Sequence, residues 1–329
     1  MQSDDALINL NKSFLLHWVF KIKNLESVLD LLKNELSIRV LRHEEFNSAC
    51  EASCNGKFQN AWSKTMVGIG DELSYFALEL VYNYSKQEDY KKHRGFFNLE
   101  FYEKDFLGNG SFTNFSQLNI EAISIAKFNQ SYCKDYLKIL IDGISENDFK
   151  RDFKFLTLKV NNLETSVEYY EKILNMTLYT KERIINPHDS KFREQLSEEF
   201  LCNNKENFSI LGFDKTQTFL KLIQSDLNEP VFQSEDSGRM AFACEADVFD
   251  VSKKIEKFGK KILHQPVVLK TEGKADVKVI ILQDPDDYEI CFVEREGFRE
   301  LSNLYEGVDF IDWEMRKSIK NKILRSFNQ

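Results

Sequence analysis

One repeat constrains this chain more than any other feature. The stretch LHWVFKIKNLESVLDLLKNELSIRVLRHEEF, from Leu16, runs in register and without a gap over FLTLKVNNLETSVEYYEKILNMTLYTKERI, from Phe155, so that His17 falls on Phe155. Lys21, Asn24, Leu25 and Glu26 recur as Lys159, Asn162, Leu163 and Glu164; Ser27, Asp30, Leu36 and Glu44 answer to Thr165, Glu168, Leu174 and Glu182. Self-similarity at a fixed offset marks a chain built by duplicating one supersecondary unit. The scaffold recurs, but its metal-capable histidine does not.

Each copy reads as strand, helix, strand. LHWVFKIK alternates with the period of a half-buried strand. Asn24 and Asn162 each offer a side-chain oxygen at a helix start, and acids follow where the helix dipole favours them. Val28, Leu29, Leu31, Leu32 and Leu36 form an apolar stripe at helical spacing, as do Val167, Tyr169, Tyr170, Ile173 and Leu174. Asn175 suits the left-handed position after the second helix; Ser37, its counterpart, suits it less well. Three strand-like runs follow in each half: IRVLRHEEF, SKTMVGIG and YFALELVYNY, then MTLYTKERI, FSILGF and TFLKLIQ. The unit is therefore βαβββ.

A further unit follows in each half. In the second it is clear: RMAFACEA, the helix DVFDVSKKIEKFG closed by Gly259, KILHQPVVLKT, DVKVIIL, and YEICFVER after a DPDD turn. In the first it is degraded: FFNLEFYEKD, a polar stretch around GNGSFTNFSQ, EAISIAKF and DYLKILID. The expected architecture is α+β, four βαβββ modules in two domains: a tail at 1–13, a first domain at 14–144, a linker at 145–152, a second domain at 153–300 and a helical tail at 301–329. FIDWEMRKSIKNKILRSF reads as an amphipathic helix docked on the body, with a membrane-surface role for its basic face as the alternative.

Length and charge bound the function. The 329 residues suffice for two domains. A net charge of −9 argues against a general nucleic-acid surface. No apolar run reaches the ~18–20 residues of a membrane span. The opening MQSDDALINLNKS has early acids, no Arg and no apolar signal core, so the expected location is cytoplasmic, with a mitochondrial or other organelle as the alternative. Six Cys in a chain this long do not suggest a disulfide framework. Cys50 and Cys54, four apart, would share a face of a helix and are read as reduced structural thiols, half a metal site being the alternative.

The four units, with the blocks RHEEF, CEASCNG, WSKTMVG, FALELVYNY and GKADVKVIILQDPDDYEICFVEREGFRELS, resemble the two-domain form of the glyoxalase, or vicinal-oxygen-chelate, superfamily. The resemblance implies curved sheets facing a cleft, with a metal held by His and Glu. It also implies that each site draws on the first unit of one domain and the last of the other. Carried over by position, one site holds His17, Glu79, Arg239 and Cys291; the other holds Phe155, Lys221, Phe96 and Ile139. The second set contains no ligand, since Phe and Ile have no donor and Lys is protonated at neutral pH. In the first, His17 and Glu79 keep the ligand types, and Cys291 could supply a thiolate to zinc. Arg239 brings a permanent positive charge. The preferred reading pairs Arg239 with Glu79 in place of a metal; the alternative is one divalent ion, zinc or nickel. Lys21 stands where the resemblance puts an arginine that helps hold the carboxylate of a glutathione thioether, so Lys21 and Arg239 are candidate ligand-binding residues.

Three function classes follow. The first is a pseudoenzyme or binding module for a small anionic or glutathione-conjugated ligand. The second is a metal-dependent lactoylglutathione lyase or related isomerase, with Glu79 as catalytic carboxylate. The third is an interaction protein exposing Phe310, Trp313 and Ile323. Intrachain domain pairing makes a monomer the expected state.

Overall fold

The computed structural model of the chain describes residues 10–86, 90, 95–103, 115–121, 123–129, 141, 151–180, 207–226, 228–234, 237–270, 275–303 and 311–327. The candidate positions Ile139 and Phe310, and most of the strand expected in DYLKILID, lie outside these residues. The elements run β1 (Phe14–Ile22), α1 (Leu25–Leu36), β2 (Arg39–Phe46), β3 (Trp62–Gly68), β4 (Ala77–Asn83), β5 (Phe96–Glu103), β6 (Phe115–Ile120) and β7 (Ile123–Asn129). They continue with β8 (Asp152–Val160), α2 (Leu163–Glu168, extended by a π turn at Tyr169–Ile173), β9 (Thr177–Thr180), β10 (Phe208–Gly212) and β11 (Phe219–Gln224). The last are β12 (Arg239–Cys244), α3 (Val248–Lys257), β13 (Ile262–Leu269), β14 (Val277–Gln283), β15 (Glu289–Glu294), α4 (Arg295–Asn303) and α5 (Trp313–Phe327).

The duplicated helices begin as their asparagines dictate. Asn24 Oδ1 accepts from the Ser27 amide at 3.1 Å, and Asn162 Oδ1 from the Thr165 amide at 2.9 Å. Both exits are left-handed, with φ of 48° at Ser37 and 61° at Asn175, so Ser37 adopts the conformation despite its poorer intrinsic fit. On α1 the residues Leu25, Val28, Leu32 and Leu36 are buried. Each contributes about 1.5–3 kcal/mol by leaving water, which supplies the stability a 12-residue helix lacks alone.

The strands form two sheets: one joins the two ends of the chain, and the other is built from its middle. The eight-stranded sheet has the order β13-β14-β15-β12-β1-β4-β3-β2; the seven-stranded sheet has the order β6-β7-β5-β8-β11-β10-β9. In the first, β1 lies between parallel β4 and antiparallel β12. In the second, β8 lies between parallel β11 and antiparallel β5. One apolar core spans both sheets, and the indole of Trp18 stacks on Phe96 at 5.6 Å across the boundary. Gly238 is obligatory there: a Cβ on it would come within 2.2 Å of Trp18.

The two sheets lock together by equivalent contacts, one within each half of the chain. The Glu121 carboxylate accepts from the Lys23 and Asn24 amides, both at 2.7 Å, at the start of α1. Asp286 Oδ1 accepts from the Asn161 amide at 2.6 Å and Oδ2 from Ser166 Oγ at 2.7 Å, at the start of α2. In each case the turn between a unit's last two strands supplies an anion to the positive end of a helix in the other sheet's unit.

Four expectations need correction. Cys50 and Cys54 sit in the loop between β2 and β3, not on a helix, and are joined as a disulfide with Cα atoms 5.5 Å apart, a separation a bridge can span. The polar stretch of the degraded unit contains β6, because it pairs with β7 along its whole length. The chain also leaves the sheet through a helix, α4, whose apolar Phe298 and Leu301 are buried. Finally, the register of β5 and the pairing of β7 beside it replace two positions carried over to the second site, as described below.

Candidate functional site

On the sheet face away from α1, two rows of side chains cross β4, β1, β12 and β15. Val19 pairs with Glu79, and His17 pairs with Ala241, which pairs with Cys291. Arg239, two residues before Ala241, stands level with Val19 and pairs with Glu289. Strand alternation turns His17, Glu79, Arg239, Glu289 and Cys291 to this one face. Two of the four strands, β1 and β4, come from one end of the chain and two, β12 and β15, from the other, so only the joined sheet assembles the group.

His17 and Glu79 form a closed pair. Their Nε2 and Oε2 atoms are 3.2 Å apart, and both side chains are 9% exposed. Burial works to raise the Glu79 carboxyl, but its hydrogen bond and charge interaction with His17, with help from Lys64 and Arg42, outweigh it and hold the group down at about 2. An ionised Glu79 accepts only, so Nε2 carries the proton between them. His17 Nδ1 is buried without a hydrogen-bond partner.

Arg239 is paired, but not with Glu79. Its Nε donates to Glu289 Oε2 at 2.7 Å, a second nitrogen of the guanidinium contacts the same oxygen, Nη1 donates to the Ala52 carbonyl at 2.9 Å, and Nη2 to the Ser53 carbonyl at 3.3 Å. The reason is strand order. Adjacent strands lie about 4.8 Å apart, so Glu289 is one strand away and Glu79 about 10 Å away, beyond β1. The disulfide loop thus delivers two backbone acceptors to Arg239 and completes its shell. The same loop covers Lys21: a Cβ on Gly56 would come 3.4 Å from Lys21 Nζ.

Beside the pair lies a buried ionic cluster. Arg42 donates from Nε to Glu72 at 2.7 Å and from Nη1 to Glu44 at 2.7 Å, while Lys64 reaches Glu44 at 2.8 Å. Phe298, from α4, sits with its ring 6.5 Å from the His17 ring and 5.9 Å from the Arg42 guanidinium carbon. Arg42, Lys64, Glu72 and Phe298 were not among the expected site residues. Arg42, Lys64 and Phe298 do lie inside the motif blocks RHEEF, WSKTMVG and FRELS, which was the available signal.

The donor chemistry does not match a closed metal shell. A structural or catalytic zinc needs three or four ligands that offer lone pairs. His17 and Glu79 are close enough to share an ion. Cys291, however, is half-buried, and desolvation of its thiol pushes it up to about 12, with Glu79 and Glu289 adding to the effect and Arg239 opposing it. It is a neutral thiol at physiological pH. Arg239 has no lone pair to give. His17 Nδ1 also lacks the carbonyl or carboxylate that orients a ligating imidazole. Among the described residues, no group of three or more His, Cys, Asp or Glu side chains is placed to hold a metal.

The equivalent place on the other sheet has gone further. Phe155 pairs with Phe219, and Lys221 pairs with Thr157, the counterpart of Val19. Asn98 pairs with Thr157, and so takes the position expected of Phe96, which pairs with Leu158 instead. Ala126 pairs with Glu100 and takes the place expected of Ile139. A bulge between Phe96 and Asn98 contributes to the first change, and the second arises because β7, not the expected DYLKILID run, pairs beside β5. Lys221 Nζ meets Glu100 Oε1 at 3.2 Å, both buried, beneath the Phe155 and Phe208 rings. An ammonium stands where the first site has the Glu79 carboxylate.

Known proteins share this fold. Glyoxalase I from Zea mays superposes with a TM-score of 0.63 at 19% identity, covering 90% of this chain and 97% of that one. The fold is therefore that of the glyoxalase, or vicinal-oxygen-chelate, class. The profile for the glyoxalase domain-containing protein 4-like C-terminal domain matches residues 188–301. Glyoxalase domain-containing protein 4 of Rattus norvegicus is 33% identical over 291 residues, 88% of each chain, and Glyoxalase 1 of Caenorhabditis briggsae is 34% identical over 301 residues, 89% of this chain and 92% of that one. This chain belongs to the glyoxalase domain-containing protein 4 family.

Proposed function

We propose that this protein binds a small anionic or glutathione-conjugated molecule in the cleft lined by His17, Glu79 and Lys21, without a metal and without glyoxalase I chemistry. The observation that carries this reading is the His17–Glu79 contact at 3.2 Å, in which the two ligand-type side chains satisfy each other. Arg42 and Lys64 are matched by Glu44 and Glu72, so in this reading the charge for an anionic group comes from Lys21, on the same face of β1 as His17. The protein is taken as cytoplasmic and monomeric.

A metal-dependent lyase is the second reading. It is favoured by the same 3.2 Å separation, which two ligands of one ion would also show, and by the names of relatives. One relative, 23% identical, is the lactoylglutathione lyase of Oryza sativa. The discriminating experiment assays isomerisation of the methylglyoxal–glutathione hemithioacetal with added zinc or nickel, and in parallel the binding of S-hexylglutathione by calorimetry. The proposal expects no turnover above a Glu79→Gln control, and binding that weakens in Lys21→Ala. Turnover that depends on metal and is lost in Glu79→Gln would overturn it.

A further inference from the structure

The opposite face of the eight-stranded sheet carries a second constructed site. The carboxylate of Glu45, the hydroxyl of Ser63 and the rings of Tyr82 and Tyr84 surround the guanidinium of Arg316, which comes from α5. Arg316 Nη1 donates to Glu45 Oε1 and to Ser63 Oγ, each at 2.7 Å. Its guanidinium carbon lies 4.9 Å from the Tyr82 ring centre and 5.3 Å from that of Tyr84, with Trp313 at 5.8 Å completing the cage. The receptor is itself braced. Tyr84 Oη shares its one proton between the two Glu45 oxygens, 2.9 and 3.0 Å away, and His43 spans Thr65 Oγ1 at 2.8 Å and Glu45 Oε1 at 3.0 Å.

The ligand chemistry this demands is narrow. A carboxylate and a hydroxyl in the plane, with aromatic faces above, fit a flat, delocalised cation better than a compact ammonium. Among the described side chains of α5, Arg316 is the buried one, at 6% exposed, while Trp313 and Met315 are 45% and 47% exposed and Ile319 and Ile323 are half-buried. A 15-residue helix is marginal in water by itself, so α5 depends on its anchor to stay folded.

We propose that Glu45, Ser63, Tyr82 and Tyr84 form a guanidinium-binding site for an arginine side chain, and that α5 is its exchangeable resident ligand, attaching and detaching as a unit through Arg316. The site lies on the far side of the sheet from the His17–Glu79 cleft and does not depend on what that cleft binds.

The test is amide hydrogen exchange on the full-length protein. Arg316→Ala should raise exchange in residues 313–327 at least about tenfold, the effect of losing one charge-assisted anchor. Amides of β2 and β3 should stay protected, which reports that the body is folded. Arg316→Lys should give an intermediate increase. In the wild-type protein, added arginine amide should accelerate exchange in α5, whereas lysine amide at the same ionic strength should not. Wild-type protection of α5 in Arg316→Ala, or equal effects of the two amides, would overturn the proposal.

Discussion

At the scale of single residues, the pairing of Arg239 decides how the first site is read. The residue was legible as a charge in a ligand position, but its partner was not, because the choice between Glu79 and Glu289 depends on the order β4-β1-β12-β15, which no linear pattern contains. Alternation along β15 did place Glu289 on the same face as Cys291. A double-mutant cycle in urea unfolding checks the assignment. Arg239→Met with Glu289→Gln should show a coupling of about 1 kcal/mol, the modest size expected because the Glu289 side chain is 39% exposed. Arg239→Met with Glu79→Gln should be additive to within about 0.5 kcal/mol. The reverse ranking would restore the pairing read from the sequence.

At the scale of elements, the repeat gave the helices and their caps directly, since Asn24 and Asn162 act through local geometry. What joins the sheets was less legible, because turn residues act across the fold. In the DPDD turn between β14 and β15, Asp284 is buried and accepts from Tyr170 Oη at 2.8 Å and from the Asp286 and Tyr288 amides at 2.9 and 2.8 Å. Burial pushes its carboxyl from 3.8 up to about 7, with the Asp286 charge adding and the three hydrogen bonds opposing. The sign is that of an acid favoured in its neutral form. Between pH 3.8 and about 7 the folded state holds a proton that the unfolded state has lost, so stability falls as pH rises through that window. The slope from this group should approach about 1.4 kcal/mol per pH unit. Urea titrations across that range, wild type against Asp284→Asn, isolate it: the difference should grow with pH and level off above 7. A difference that is flat with pH would contradict the assignment. The helix α4 escaped detection for a simpler reason. REGFRELSN carries only two apolar residues, three apart, too few to show a period.

At the scale of the molecule, duplication set up a pair of equivalent sites, and each has since been altered by a different route. On one sheet, Phe155 and Lys221 replaced both ligand types, and Lys221 now pairs with Glu100 in the interior. On the other, His17 and Glu79 persist while the complementary strands, from the far end of the chain, contribute Arg239 and a neutral Cys291. The sequence alignment of the two copies exposed the missing histidine. It could not place Asn98 or Ala126: a bulge in β5 shifts the register there, and the strand beside β5 is β7 rather than the expected DYLKILID run. The central claim is that, among the described residues, the first cleft, assembled from both ends of the chain, brings only His17 and Glu79 together as metal-type ligands. Elemental analysis of untagged protein purified without chelator tests it most directly. The account predicts zinc, nickel and cobalt well below one ion per chain, with no change in His17→Ala; one ion per chain, lost in that variant, would contradict it.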